Sequence, residues 1–239
     1  MQWTDDAIIL TVRKHGENSA IVMLMSKEHG LYGGLVRGIS SPKSRAVYQP
    51  GNRIAASWKA RLSEHLGSLT GELIHSPSSL LLTDHQRLAA LSSICTILAT
   101  SLPEREKEDV LFSSLETFIA LLISYKPWIG DYIRLEMTLL ASLGFGLDLS
   151  ECAATGVNDA LIYVSPKTGK AVCASAGEPY KDKLLPLPLF LKDHYEAEDI
   201  DEIRQGMQLT GYFLEKWTFI PRNRKLPTAR HRLQELLST

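Results

Sequence analysis

Between residues 7 and 75 the chain breaks into five short apolar runs, each closed by a turn signal, and this punctuation restricts the fold more than any other feature. The runs are Ala7–Val12, Ala20–Ser26, Leu31–Arg37, Arg53–Trp58 and Leu66–Ile74, rich in Ile, Val and Leu, and they are read as strands. The breaks are His15-Gly16-Glu17-Asn18, Lys27-Glu28-His29-Gly30, the longer Gly38–Ser44, and Pro50-Gly51-Asn52. A sheet this small leaves its edges unguarded unless it closes on itself. Closure predicts a five-stranded barrel, of which the oligonucleotide-binding (OB) fold is the commonest form and an SH3-like barrel the rival.

After Pro77 the apolar spacing changes from two residues to three and four. Asp84 is placed to cap a helix carrying Leu88, Leu91, Ile94, Cys95 and Leu98, ending before Pro103. Glu106–Ser124 and Trp128–Leu143 repeat the pattern, the latter stopped by Gly144-Phe145-Gly146. Leu161–Val164 and Lys170–Cys173 flank Ser165–Gly169 as a hairpin, and Asp199–Phe219 and Thr228–Leu237 are read as helices. The expected fold class is α+β: a barrel domain over residues 1–78, then a mostly α-helical domain over 79–239 with a hairpin insert at 150–180.

The formal net charge of −1 conceals an uneven distribution. From Arg37 to Arg61 there are six bases, Arg37, Lys43, Arg45, Arg53, Lys59 and Arg61, and no Asp or Glu. Lys216–Arg232 again has six, Lys216, Arg222, Arg224, Lys225, Arg230 and Arg232, and no acid. Asp193–Glu202 is the reverse, with six acids and no Lys or Arg; it is read as a solvated loop with Asp199 as helix cap. No apolar run is long enough to span a bilayer, and no signal-type leader precedes the first strand, so a cytoplasmic, nucleoid-associated location is expected. Three cysteines cannot form a fully paired framework, which fits a reducing compartment.

Four segments carry a family resemblance. They are RLEMTLLASLGFGLDLSECAATG at Arg134–Gly156, LVRGISSPKSR at Leu35–Arg45, YQPGN at Tyr48–Asn52 and LPTAR at Leu226–Arg230. Together they resemble the RecO family, in the expected order over nearly the whole chain. The resemblance implies an OB barrel followed by helices, and a non-enzymatic recombination mediator in DNA repair. Such a protein binds single- and double-stranded DNA, anneals complementary strands, recognises the C-terminal tail of single-strand-binding protein, and works with RecR to load RecA. It also implies a zinc-finger region, often with two Cys-x-x-Cys pairs. In this chain Thr155 follows Cys152 at the matching place and Ala176 follows Cys173, so the region is degenerate; a zinc ion needs four donors, and none is expected.

A reader of single-stranded DNA needs cations for phosphates and planar groups for bases. Arg37, Lys43, Arg45, Arg53, Lys59 and Arg61 are the candidate DNA-binding residues, with Trp58, Tyr32 and Tyr48 as stacking candidates, although the strand register leaves Trp58 open between core and surface. Arg222, Arg224 and Lys225 either extend that path or are a solvated end. Arg134 and Leu135 are carried over as the tail site, against the alternative that Arg134 only makes pairs within the helices. No phosphate loop, His-Glu-x-x-His or Gly-x-Ser-x-Gly elbow is present, the scattered histidines are read as surface or turn residues and Cys95 as a small core residue, so no catalytic residue and no cofactor are expected. The alternative reading is an OB-fold adaptor that binds RNA or protein tails without annealing.

Overall fold

The computed structural model describes residues 1–62, 65–193, 195–197 and 199–237. Its described residues divide into two compact units, Met1–Tyr125 and Lys126–Thr239.

In the first unit, β1 (Gln2–Lys14), β2 (Ser19–Ser26), β3 (Gly30–Arg37), β4 (Arg53–Lys59) and β5 (Gly67–His75) close into a barrel of order β1-β2-β3-β5-β4, the OB-like arrangement expected. β1 is longer than the apolar run that announced it because it serves two partners. Gln2–Ile8 pairs with β4 and Ala7–Lys14 with β2, so its polar start is sheet as much as its apolar middle. Strand alternation sends Ala7, Ile9, Val22, Leu24, Tyr32, Val36, Ile54, Ala56, Trp58 and Leu69 into the barrel. Ile8 and Leu10 point the other way and are buried too, since the helix His85–Ser101 packs on that flank of β1.

The loop after β3 holds a short helix, α1 (Pro42–Val47), started by Pro42 at its first position and by the Ser41 hydroxyl accepting from Ser44 N at 3.1 Å. After β5 come α2 (Pro77–Leu80), α3 (His85–Ser101) and α4 (Asp109–Ile123). Asp84 caps α3 as expected, accepting from Arg87 N at 3.0 Å. The YQPGN segment is the joint between barrel and helices. Gly51 has φ +85°, and a Cβ there would meet Leu91 of α3 at 2.6 Å. Buried Asn52 donates to the carbonyls of Ala46 and Val47 and accepts from Ser76 and Ser78. The apolar stripes of α3 and α4 are therefore used within the barrel's unit. The change of pattern at residue 78 marks where helix begins, whereas compactness divides the chain after Tyr125.

In the second unit α5 (Ile129–Ser142) leads to a small sheet of β6 (Leu161–Val164), β7 (Ala171–Cys173) and β8 (Leu185–Pro186), ordered β7-β6-β8. The hairpin is the expected one, and β8 is an added edge. α6 (Ala174–Gly177), α7 (Phe190–Asp193), α8 (Ile200–Phe213) and α9 (Thr228–Leu237) complete it, with a π-helical turn at Leu214–Phe219 extending α8. Asp199 caps α8 as expected, accepting from Asp201 N at 2.7 Å; of the acidic stretch, Glu198 and the Asp193 side chain lie outside what is described. Among the described residues no helix is long and apolar enough to cross a membrane.

Two of the quoted segments meet in this core. Arg230, the last residue of LPTAR, is fully buried, and its Nη2 donates to Glu136 Oε2 at 3.1 Å and to the Met207 carbonyl at 2.8 Å. Its Nε donates to Glu136 Oε1 at 2.5 Å, while Tyr132 and Thr210 hydroxyls complete the shell around that carboxylate. Burial opposes the charge on Arg230, yet the Glu136 carboxylate holds its pKa above the ordinary value. Arg230 therefore leaves the terminal cationic tract: it is a core residue.

Candidate nucleic-acid interface

Strand pairing sets one outward row around the barrel. Arg13 lies opposite Ile21, Ile21 opposite Leu35, Leu35 opposite Ser68, Ser68 opposite Lys59, and Lys59 opposite Gln2. Period-two alternation puts these side chains on the outer face, and Arg37, two residues past Leu35, shares its parity. Beside this row Thr4, Ser57 and Thr70 form a second one, also exposed. Gln2, Trp3, Thr4, Ser57, Trp58, Lys59, Ser68 and Thr70 line a groove of about 520 Å³. Small hydroxyl side chains beside Lys59 let a phosphate chain approach the sheet closely.

Arg37, Lys43 and Arg45 are exposed at one end of the barrel. Their loop is fixed by the β1–β2 turn: Gly38 N donates to Asn18 O at 2.8 Å and Ser40 N to Asn18 Oδ1 at 3.2 Å. The same turn follows Arg13 and Lys14, both exposed, which the sequence reading missed. They precede the acid-free window that drew attention, but an apolar Val12 packed against the barrel core turns Arg13 outward by strand alternation, and that was a signal for the first of them. Lys59 is exposed at the end of β4, and Arg61 is exposed in the loop beyond.

Arg53 does not join this set. Its guanidinium pairs with Asp6, Nε donating to Oδ1 at 2.8 Å, and with Glu116 of α4 at 2.7 Å. The Asp6 hydrogen bond is the main cause holding its pKa above the ordinary value, against partial burial. Two carboxylates already neutralise it, so it is a strut between barrel and helix.

The aromatic candidates are also placed differently. Trp58 is 1% exposed and donates Nε1–H to Gly33 O at 3.0 Å; Tyr32 and Tyr48 are buried with it in the barrel core. Burial pushes the Tyr48 phenol pKa up. The rings that come towards the surface are Trp3, half-buried and stacked 5.9 Å from Trp58, and His29, stacked 4.7 Å from Trp3. Sequence reasoning missed both: it took Trp58, Tyr32 and Tyr48 as the stacking candidates, and the contact of Trp3 with His29 joins β1 to the β2–β3 turn.

In the second unit Arg222, Arg224 and Lys225 are exposed, whereas Lys216 donates to the Pro166 carbonyl at 2.6 Å and lies over the Tyr212 ring. Arg134 reaches α7 and the segment after it, donating from Nη2 to the carbonyls of Phe190 at 3.1 Å and Tyr195 at 2.6 Å, with Nη1 3.4 Å from Asp131. Leu135 is 3% exposed and belongs to the core. The structure thus brings together the barrel-loop cations but uses Arg134 and Leu135 in packing.

The degenerate finger keeps two thiols. Cys152 and Cys173 are both buried, Cys173 N donates to Cys152 Sγ at 3.2 Å, and the Cys173 sulfur lies 3.6 Å from the Thr155 hydroxyl and 3.4 Å from that of Ser175. Two thiols and two aliphatic hydroxyls do not supply the tetrahedral N/S donor set of a structural zinc. Among the described residues no three His, Cys, Asp or Glu side chains converge as a metal site would require.

Comparison with known proteins accounts for both halves of this architecture. The family described as Recombination protein O N terminal matches residues 1–77, and the one described as Recombination protein O C terminal matches residues 82–225. The DNA repair protein RecO of Rhodospirillum centenum is 49% identical over 235 residues, covering 97% of this chain and 93% of that protein. Those of a Methylorubrum extorquens strain and a Ruegeria species are 43% identical over 242 residues and 44% over 239, covering 99% and 100% of this chain and 98% and 99% of theirs.

Proposed function

Because the chain belongs to the RecO family, and so to DNA repair and recombination, we propose that it binds single-stranded DNA along its barrel and anneals complementary strands, without enzymatic turnover or a cofactor. The observation that carries this reading is the exposure of Arg13, Arg37, Lys43, Arg45, Lys59 and Arg61 on the barrel strands and their loops, in a protein whose net charge is −1. Phosphate contacts of this kind give affinity without base information and weaken as salt rises. Neutralising phosphates on two strands lowers their mutual repulsion, and base pairing then supplies the driving force. Double-stranded DNA offers the same phosphates and is expected to bind as well.

In the same proposal the protein works with RecR to load RecA onto DNA covered by single-strand-binding protein, whose acidic tail it recognises. Arg134 is the candidate tail contact: although its Nη atoms hold carbonyls, its side chain keeps 26% of its exposure. Unchanged affinity of Arg134→Ala for a tail peptide removes it from that role.

The test of the DNA face is charge reversal of Arg37, Lys43 and Arg45 to Glu, read by fluorescence anisotropy with a labelled oligonucleotide across a salt series. Affinity should fall at least about tenfold, and the salt slope should become shallower by about 2, given roughly 0.7 per lost single-strand phosphate contact. Undiminished affinity would exclude this face. An annealing assay separates the mediator from an OB-fold adaptor: the adaptor leaves the rate at its protein-free value.

A further inference from the structure

Among the described residues outside the DNA face, the cluster of nucleophilic side chains without a use in that reading is the thiol pair of the hairpin insert. Residues 152–157 form a tight knuckle, with Gly156 N donating to Cys152 O at 2.8 Å and Cys152 N to Val157 O at 2.7 Å. The knuckle is docked on β7 through Ala153 N to Ala171 O at 2.8 Å. Cys173 ends β7, held opposite Leu161 by the hairpin ladder. Two separately braced backbone segments therefore bring Cys152 and Cys173 into contact.

The contact between them is direct. The Cys173 amide donates to the Cys152 sulfur at 3.2 Å. An amide nitrogen is two bonds from its own Cβ, so the Cys152 sulfur lies beside the root of the Cys173 side chain, and rotation of that side chain turns its sulfur towards Cys152. The neighbours of the pair are hydroxyls, Thr155 and Ser175, and among the described residues no cluster of metal-binding side chains competes for the sulfurs.

We propose that Cys152 and Cys173 are an oxidisable dithiol that closes to an intramolecular disulfide under hydrogen peroxide, clamping the knuckle to the hairpin. The Cys152 thiolate sulfur attacks one peroxide oxygen, the O–O bond breaks, and a sulfenic acid forms while the departing hydroxide takes up a proton to become water. The Cys173 sulfur then attacks the sulfenic sulfur. Its S–H proton leaves with the expelled hydroxide as a second water, so two thiols are oxidised as one peroxide is reduced to two waters. Cys95 is the internal control: it is buried in α3, in the other compact unit, and burial pushes its thiol up to about 12, which keeps it protonated and inert.

The experiment uses the full-length protein, treated with peroxide in native buffer, quenched with catalase, unfolded, and labelled with a maleimide before intact-mass and peptide analysis. The expected result is a fall from three labelled thiols to one. It is accompanied by a loss of about 2 Da before labelling, a crosslinked peptide joining Cys152 to Cys173, and full reversal by dithiothreitol. Cys95→Ser should lose both of its remaining labels on oxidation, and amide exchange in Leu161–Val164 should slow about tenfold. Three persisting thiols, a gain of about 32 Da on Cys152 with Cys173 still labelled, or a disulfide that includes Cys95 would each overturn the proposal.

Discussion

Two stretches of this chain look alike as strings and behave differently as structure. Arg37–Arg61 and Lys216–Arg232 each hold six bases and no acid. In the first, five of the six are exposed, and among the described residues only Arg53 is drawn into ion pairs, with Asp6 and Glu116. In the second, Arg230 is buried against Glu136 and Lys216 is held by the Pro166 carbonyl. What separates the two is what lies against each base. Arg37 and Lys59 occupy exposed outward positions at strand ends, and Lys43, Arg45 and Arg61 lie on a short surface helix and a loop, so all five stay in water. A helix packed on helices has a stripe with nowhere to go but the core, and a base on that stripe has to bring an acid with it.

The largest expected effect tests this difference at Arg230. Arg230→Ala leaves the Glu136 carboxylate buried without its partner and should cost about 3–5 kcal/mol in urea unfolding. Replacing both together, Arg230→Met with Glu136→Leu, should recover most of that loss, because the desolvation of two charges is then relieved. A loss below about 0.5 kcal/mol in the single variant is what a surface cation would give, and would place Arg230 back in the tract.

Part of this contrast was legible beforehand. Arg230, Leu233 and Leu237 fall at helical spacing, and Glu136 sits in the Tyr132–Leu139 stripe, so a base and an acid each interrupt an apolar face. Reading the tract as a charge count hid that pattern. The barrel and the main helices could be read because their periods of two and three to four are strong. The short α1 could not, since six residues with no buried side chain leave no stripe. Nor could the polar start of β1, whose strand character comes from pairing with β4, far away in sequence. Trp58 shares its parity with Ile54 and Ala56, which was enough to place it inside; the union of Trp3 and His29 depends on barrel closure and is invisible in one dimension.

The next effect compares the two tracts as DNA contacts. Reversal of Arg37, Lys43 and Arg45 is expected to weaken single-strand binding at least about tenfold, whereas Arg222, Arg224 and Lys225 changed together to Glu should weaken it by no more than about threefold. The first set lies at the end of β3 and on α1, within the barrel's unit, and the second sits on a connector outside that unit. Equal losses from the two triple variants would show that exposure alone, and not placement on the barrel, decides which cations hold phosphate.

The smallest effect falls on Arg53, and it is the most discriminating because it divides one tract within itself. Arg53 stands between two exposed members of its acid-free window, yet its charge is matched by Asp6 and Glu116 across a partly exposed contact. Arg53→Gln should therefore leave single-strand affinity within about twofold of wild type and its salt slope unchanged, since no phosphate counterion is released from a cation already neutralised. Its cost should appear in unfolding, at about 0.5–1 kcal/mol, the scale of a solvent-screened ion pair. Lys59→Gln, six residues on and outward-facing, should do the opposite, lowering affinity by about twofold to fivefold with stability unchanged. If Arg53→Gln weakens binding as much as Lys59→Gln, the ion pairs open when DNA arrives, and the acid-free window would act as a single cationic surface after all.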